Sequence, residues 1–341
     1  MKKWLIGNTL KDIEIIVNEL SLPKFTAKQI CDWIYNKRVK SIDQMSNLSQ
    51  KTRDLLSESY TVGGFEYTQE SISTDGTKKY LFPSLCSTPI ESVMIPDNDR
   101  ATLCISSQAG CKMGCKFCMT ARMGFNGNLS SGEIVSQLFN IPDYNKITNI
   151  VYMGMGEPLD NFENVIKSTQ ILTESWGLGW SPKRITVSSI GVLPKLRDFL
   201  EISKCHLAIS LHNPFEDQRE DIMPMQKAWN LSDIIEIIKE YDFTGQRRVS
   251  FEYIMFSGYN DTKKHADALI RMLRGLECRV NLIRFHKIPD FDLSPSPDII
   301  LNNFRDRLNN SGITATIRAS RGEDILAACG MLSSTNKRDR R

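Results

Sequence analysis

Thr102-Leu103-Cys104-Ile105-Ser106, continued by Ser107-Gln108-Ala109-Gly110 and then Cys111-Lys112-Met113-Gly114-Cys115-Lys116-Phe117-Cys118, is the stretch from which the rest of the chain can be read. A short apolar, β-branched run ends in polar and glycine residues, which predicts a strand feeding a loop. Three cysteines then crowd into that loop. Downstream, Ser130 with Glu133 forms a capping-box pattern ahead of an amphipathic segment, Gly132–Asn140. Strand, cysteine loop and helix together predict a βα unit with its chemistry at the strand's carboxyl end.

The same alternation continues outward. Strand-like runs occur at Thr102–Ser106, Ile147–Met153, Arg184–Ser188, His206–Leu211, Arg248–Met255, Arg279–Phe285 and Ile313–Arg318. Helical patterns lie between most of them, at Phe162–Thr173, Leu193–Glu201, Leu231–Tyr241, His265–Leu273 and Asp298–Leu308. Such alternation implies right-handed βαβ units and a parallel sheet, either doubly wound or closed into a partial barrel. Both place active groups at the carboxyl ends of the strands. Before this core, Phe65–Met94 reads as short strands. The first 60 or so residues read as helices, with Ile6, Leu10, Ile13, Val17 and Leu20 on one stripe. That N-terminal segment holds ten Lys/Arg against seven Asp/Glu. It is either a solvated small domain or a nucleic-acid-docking appendage. The expected division is 1–60 helical, 61–98 β-rich linker, 99–332 core and 333–341 a flexible basic tail.

Composition narrows the class. The 341 residues carry 43 Lys+Arg against 40 Asp+Glu, a charge of +3, so RNA or DNA binding would have to come from local clusters. No apolar run reaches the length of a membrane span, and the start lacks a secretory cleavage pattern. Nine cysteines is an odd number. Their crowding favours metal chemistry in a reducing, cytoplasmic setting over a secreted disulfide framework. Three thiolates could hold zinc with a fourth ligand from elsewhere. They could also hold a [4Fe–4S] cluster with one iron left open for a small molecule.

The C-x3-C-x2-C spacing, with Phe117 before the third cysteine, resembles the radical S-adenosylmethionine (SAM) superfamily. Further stretches sharpen the likeness: Met153-Gly154-Met155-Gly156-Glu157-Pro158-Leu159, Ser188, Ser210-Leu211-His212, and Arg321-Gly322-Glu323-Asp324-Ile325-Leu326-Ala327-Ala328-Cys329-Gly330. Together, from Phe25 to Leu332, the chain resembles the RlmN family, which methylates C2 of adenine in 23S rRNA and in tRNA. Ala109 and Pro158 resemble RlmN more than its C8-methylating sister Cfr.

The resemblance implies an α/β fold: a partial (β/α)6 radical SAM barrel with a small N-terminal helical domain and a short β-rich linker. It implies that Cys111, Cys115 and Cys118 hold a [4Fe–4S] cluster. Gly156, Glu157, Ser188, Ser210, Leu211, His212 and His286 would bind SAM, used twice per turnover. Cys329 would carry the methyl group, Cys104 would resolve the RNA adduct by forming a disulfide with Cys329, and Glu91 would accept a proton. Partners would be 23S rRNA, tRNA and a reductant such as flavodoxin or ferredoxin. The chain departs from the family pattern at Ala121, at Gly127 and at His286, where an asparagine is usual. The remaining cysteines, Cys31, Cys86, Cys205 and Cys278, read as packed thiols. A Cfr-type enzyme and a non-catalytic, zinc-stabilised RNA-binding module are the alternative readings.

Overall fold

The computed structural model describes residues 2–243, 245 and 248–333. Most of the predicted basic tail therefore lies outside the described residues. The centre is a ten-stranded sheet. Its strands are β1 (Gln69–Ile72), β2 (Lys78–Phe82), β3 (Ile90–Asp97), β4 (Arg100–Cys104), β5 (Asn149–Tyr152), β6 (Ile185–Ser189), β7 (His206–Ser210), β8 (Val249–Met255), β9 (Cys278–Arg284) and β10 (Thr314–Ile317). They pair strictly in chain order. β4 to β10 run parallel, and β1, β2 and β3 extend the sheet antiparallel from β4. A doubly wound sheet would reverse its order at a switch point; this one does not.

The sheet curls. β5 and β10 are five strand spacings apart, which in a flat sheet would separate them by roughly 24 Å. Yet Arg318, just after β10, donates to the Met153 sulfur, just after β5, at 3.5 Å. The parallel strands therefore wrap around a shared interior, as the partial-barrel expectation requires. The connecting helices Ser131–Phe139, Phe162–Thr173, Leu193–Ile202, Leu231–Lys239, Lys263–Met272 and Asp298–Asn310 lie close to their predicted bounds. The Ser130–Glu133 capping box forms, with both reciprocal hydrogen bonds present.

Two segments differ from their sequence reading. The stretch read as a linker supplies β1 to β3, so it is continuous with the core sheet. The N-terminal helices α1 (Leu10–Glu19), α2 (Thr26–Cys31) and α3 (Gln50–Ser59) are closed by a short parallel ladder pairing Lys3–Trp4 with Tyr60–Thr61. They do not stand apart as a solvated appendage. Leu5, Ile13, Ile30 and Tyr35 are fully buried, and Tyr35 stacks edge-on with Trp176 of the core. Ser131 donates to the Gly7 carbonyl at 2.7 Å, and backbone contact there leaves no room for a side chain on Gly7.

Candidate active site

The cysteine loop leaves the carboxyl end of β4 and is held by a hairpin that the sequence did not announce. Gln108–Gly110 pairs antiparallel with Phe125–Asn128, bracketing Cys111–Cys118 and the helical turn Met119–Arg122. Gly110 allows this closure. Its φ is +78°, and a Cβ there would stand 1.9 Å from the Gly124 carbonyl oxygen. The loop after β5 is fixed against the same hairpin. Glu157 N–H donates to Gln108 Oε1 at 2.9 Å, Gln108 Nε2 donates to Asp160 at 2.7 Å, and Lys112 pairs with Asp160 at 2.8 Å. Gly156, at φ +98°, lies so close to Gln108 that no side chain would fit.

These loops surround a cavity of about 530 Å³ at the strand carboxyl ends. Of the predicted site residues, Cys104, Cys111, Cys115, Cys118, Gly156, Glu157, Ser188, Ser210, His212, His286 and Cys329 line it. Leu211 and Glu91 do not. Leu211 is fully buried in the hydrophobic core. Glu91 is 3% exposed. Its carboxylate pairs with Lys79 at 3.0 Å and accepts the Ser333 N–H at 3.1 Å.

The three cluster-loop thiols repel one another as thiolates. Burial pushes Cys111 up to about 12, with Cys118 adding to the effect, and Cys115 is pushed well up by burial and by both neighbours. A soft cationic body bound by all three would reverse that cost, because it binds the thiolate form. Among the described residues no three His, Cys, Asp or Glu side chains converge at single-ion spacing. The donor set of three soft sulfurs around an open cavity fits a cluster with one iron left for a ligand.

Part of the cavity wall is a set of strand ends held by buried polar groups. Burial raises Glu157 to about 7, offset by N–H donors from Ile190 and Leu159 at 3.0 Å each. His212 has φ +56° and accepts the Ile254 N–H at 3.1 Å on Nδ1. Burial, with Arg219 nearby, lowers it to about 3, so it is neutral. His286 meets Ser320 at 3.1 Å through Nε2. The sequence reading missed Arg219, which is 1% exposed. Its guanidinium donates to the carbonyls of Ser210 at 3.0 Å, Leu211 at 3.1 Å and Ile190 at 3.2 Å, and to Gln226. It ties the ends of β6 and β7 together. Nothing in its local sequence, inside a charged helix Glu216–Ile222, separates it from a surface arginine.

Cys104, at the end of β4, and Cys329, in the C-terminal strap (320–333), line the same cavity. The strap is secured by Met119 N–H to the Gly330 carbonyl, Thr120 Oγ1 to the Leu332 carbonyl, and Ser73 Oγ to Asp324. Both cysteines are free thiols, as are the other seven, so no standing disulfide is present. Burial pushes Cys104 up to about 12, with Cys329 contributing. Cys329 is exposed and lines the cavity. Desolvation by the surrounding protein pushes its thiol up, and the Arg318 guanidinium opposes that.

Comparison with known proteins agrees with this arrangement. Residues 105–270 match the radical SAM superfamily, and residues 5–62 match a ribosomal RNA large subunit methyltransferase N-terminal domain. The chain is 55% identical to "Probable dual-specificity RNA methyltransferase RlmN" of Phocaeicola vulgatus, over 98% of this chain and 96% of that protein. It is 42% identical to "Dual-specificity RNA methyltransferase RlmN" of Syntrophus aciditrophicus, over 95% and 94%. A crystal structure of a radical SAM methyltransferase from Sphaerobacter thermophilus superposes with a TM-score of 0.89 at 36% identity, covering 98% of this chain and all of that one.

Proposed function

The chain belongs to the RlmN family within the radical SAM superfamily, and we propose that it methylates C2 of an adenine in 23S rRNA and in tRNA through a methylated cysteine. One observation carries the reading. A single cavity collects the three cluster-loop thiols, the SAM-facing strand ends and the two thiols Cys104 and Cys329. A zinc-stabilised binding module would have no use for the last pair.

Cys111, Cys115 and Cys118 would hold a [4Fe–4S] cluster, and Gly156, Glu157, Ser188, Ser210, His212 and His286 would hold SAM beside it. Together the two groups would supply the radical hydrogen abstraction that an unreactive carbon requires. The protein's own residues handle the methyl group and the RNA. Cys329, as thiolate, takes a methyl group from SAM by displacement, and S-adenosylhomocysteine leaves. After loss of one hydrogen atom its one-carbon unit bonds to C2 and tethers the RNA to the strap, and the adduct gives up its odd electron to the redox partner of the site. Glu91 takes the C2 proton once the strap releases it. Cys104 attacks the Cys329 sulfur, so the disulfide between them is transient and forms only on product release.

The mildly basic N-terminal unit docks the RNA, and the base is splayed from its stack to enter the cavity. A flavodoxin- or ferredoxin-type reductant in the cytoplasm supplies electrons. Among the described residues no helix is long and apolar enough to cross a membrane. The test is nucleoside mass spectrometry on rRNA and tRNA from cells with and without the protein. Loss of 2-methyladenosine supports the assignment. Loss of 8-methyladenosine instead would favour the C8 chemistry, and no change in either would remove both.

A further inference from the structure

Arg318 lines the same cavity as the two reactive thiols, and its donors are poorly spent. Cys104, Met153, Glu252 and Cys329 share that lining with it. One terminal nitrogen meets only the Met153 thioether, at 3.5 Å, and the other reaches Glu252 Oε1 at 3.3 Å. Thioether sulfur is a weak acceptor, and 3.3 Å is long for an ion pair.

Glu252 could have taken both nitrogens in a bidentate fork. Instead its Oε1 is shared by Arg318, Asn281 at 2.8 Å and Ser250 at 3.3 Å, while buried Oε2 has no partner among the described residues. The guanidinium is thus held by a single carboxylate oxygen while it lines the cavity. It also interacts electrostatically with both Cys104 and Cys329, which line the same cavity. A group that shares this lining with both sulfurs borders the space where the carbon they exchange must sit.

We infer that Arg318 grips the target base by donating a hydrogen bond to a ring nitrogen adjacent to C2. The inference rests on reading the cavity as the site of adenine C2 methylation and adds a specificity-determining residue to it. The chemistry fits. Adenine C2 lies between N1 and N3, both pure acceptors, so that edge is read by donors alone, and arginine offers nothing but donors. Guanine carries an N–H at N1 and an amino group on C2, which would oppose the guanidinium. Donation to the flanking nitrogen also draws electron density from C2, where the new carbon bond forms.

The experiment pairs protein and substrate changes. RNA hairpins carry adenosine, 1-deazaadenosine or 3-deazaadenosine at the methylated position, each analogue replacing one ring nitrogen by C–H. The wild-type protein should lose about ten- to a hundredfold in kcat/KM on one deaza substrate beyond the other, the worth of a charged hydrogen bond. Arg318→Gln should lose a similar factor on adenosine and show no further loss on that same analogue. Arg318→Lys should recover part of the loss. Comparing one nucleoside across two proteins cancels its intrinsic reactivity.

A deaza penalty that persists undiminished in Arg318→Gln overturns the proposal. So does a wild-type protein indifferent to both analogues, a result that does not depend on any variant folding. Loss of Cys329 methylation from SAM alone in Arg318→Gln would assign the guanidinium to SAM or to the sulfur, and also overturns it. Failure of the wild-type protein to make 2-methyladenosine on the unmodified hairpin would instead remove the functional reading beneath it.

Discussion

The Glu91 carboxylate accepts the Ser333 N–H at 3.1 Å, so the residue assigned to proton transfer is bound to the strap that carries Cys329. Lys79 closes the other side at 3.0 Å, and the Lys79 ammonium also reaches the Leu326 carbonyl at 3.4 Å on the same strap. Glu91 and the strap that carries Cys329 are thereby coupled, so displacement of the strap would free both.

Glu91→Gln should leave Cys329 methylation intact and slow release of the methylated base, so that RNA–protein adduct persists. It should also cost stability on the order of 3 kcal/mol, because Lys79 loses its buried counter-charge. Denaturant melts and adduct gels measure the two effects separately. A stability loss without adduct would make Glu91 purely structural.

Cys115→Ala should abolish the iron–sulfur absorbance and 5′-deoxyadenosine formation together, since a three-thiol set has no spare ligand. Anaerobic reconstitution followed by absorbance and nucleoside chromatography tests this. A variant that keeps a full cluster and cleaves SAM would contradict the ligand assignment.

Lys24, Lys28 and Lys51 are exposed on the N-terminal unit, and Phe25 between the first two is 64% exposed. Charge reversal of the three lysines should weaken RNA binding and flatten its salt dependence. The slope should fall by roughly 0.7–0.9 for each phosphate that is no longer neutralised. Surface substitution is the suitable test because this unit shares its core with the barrel, so removing it would uncover Phe139 and Trp176, against which Tyr35 packs. An unchanged slope would place RNA docking elsewhere.

His212 is held neutral, its value lowered from 6.5 to about 3 by burial and by Arg219. Protonation would also remove the Nδ1 acceptor that Ile254 uses. A lowered folded-state value means that the stabilisation is complete above pH 6.5 and declines as pH falls toward about 3. Unfolding free energy should therefore drop by about 1.4 kcal/mol per pH unit in that window from this group. His212→Gln should remove that share of the slope. An identical pH profile in the variant would mean that the imidazole titrates normally.

The sequence made the chemistry legible where it is carried by local spacing. Cys111, Cys115 and Cys118 sit within one loop, and the βα alternation has a period that propensity alone reveals. The antiparallel strands after Phe65 were visible as strands, but their membership of the core sheet depends on pairing such as Val93 with Cys104, which no local pattern encodes. The N-terminal helices looked separable because their stripe does not show what it packs against. Arg219, Arg318 and Glu252 were invisible for a related reason. Each is a common charged residue whose role comes from burial among strand ends distant in sequence. Glu91 was found by resemblance, yet its seal of Lys79 and Ser333 belongs to the fold alone.

Cys329 as carrier and Cys104 as the thiol that releases it form the centre of the proposed mechanism. Cys104→Ala, reconstituted with the cluster, SAM and reductant, should stall after carbon–carbon bond formation, since no second thiolate remains to displace the Cys329 sulfur. A denaturing gel should show a slow, RNase-sensitive band, and peptide mapping should place the RNA-linked carbon on Cys329. Normal turnover by Cys104→Ala with no such band, or an adduct on any other residue, would contradict it.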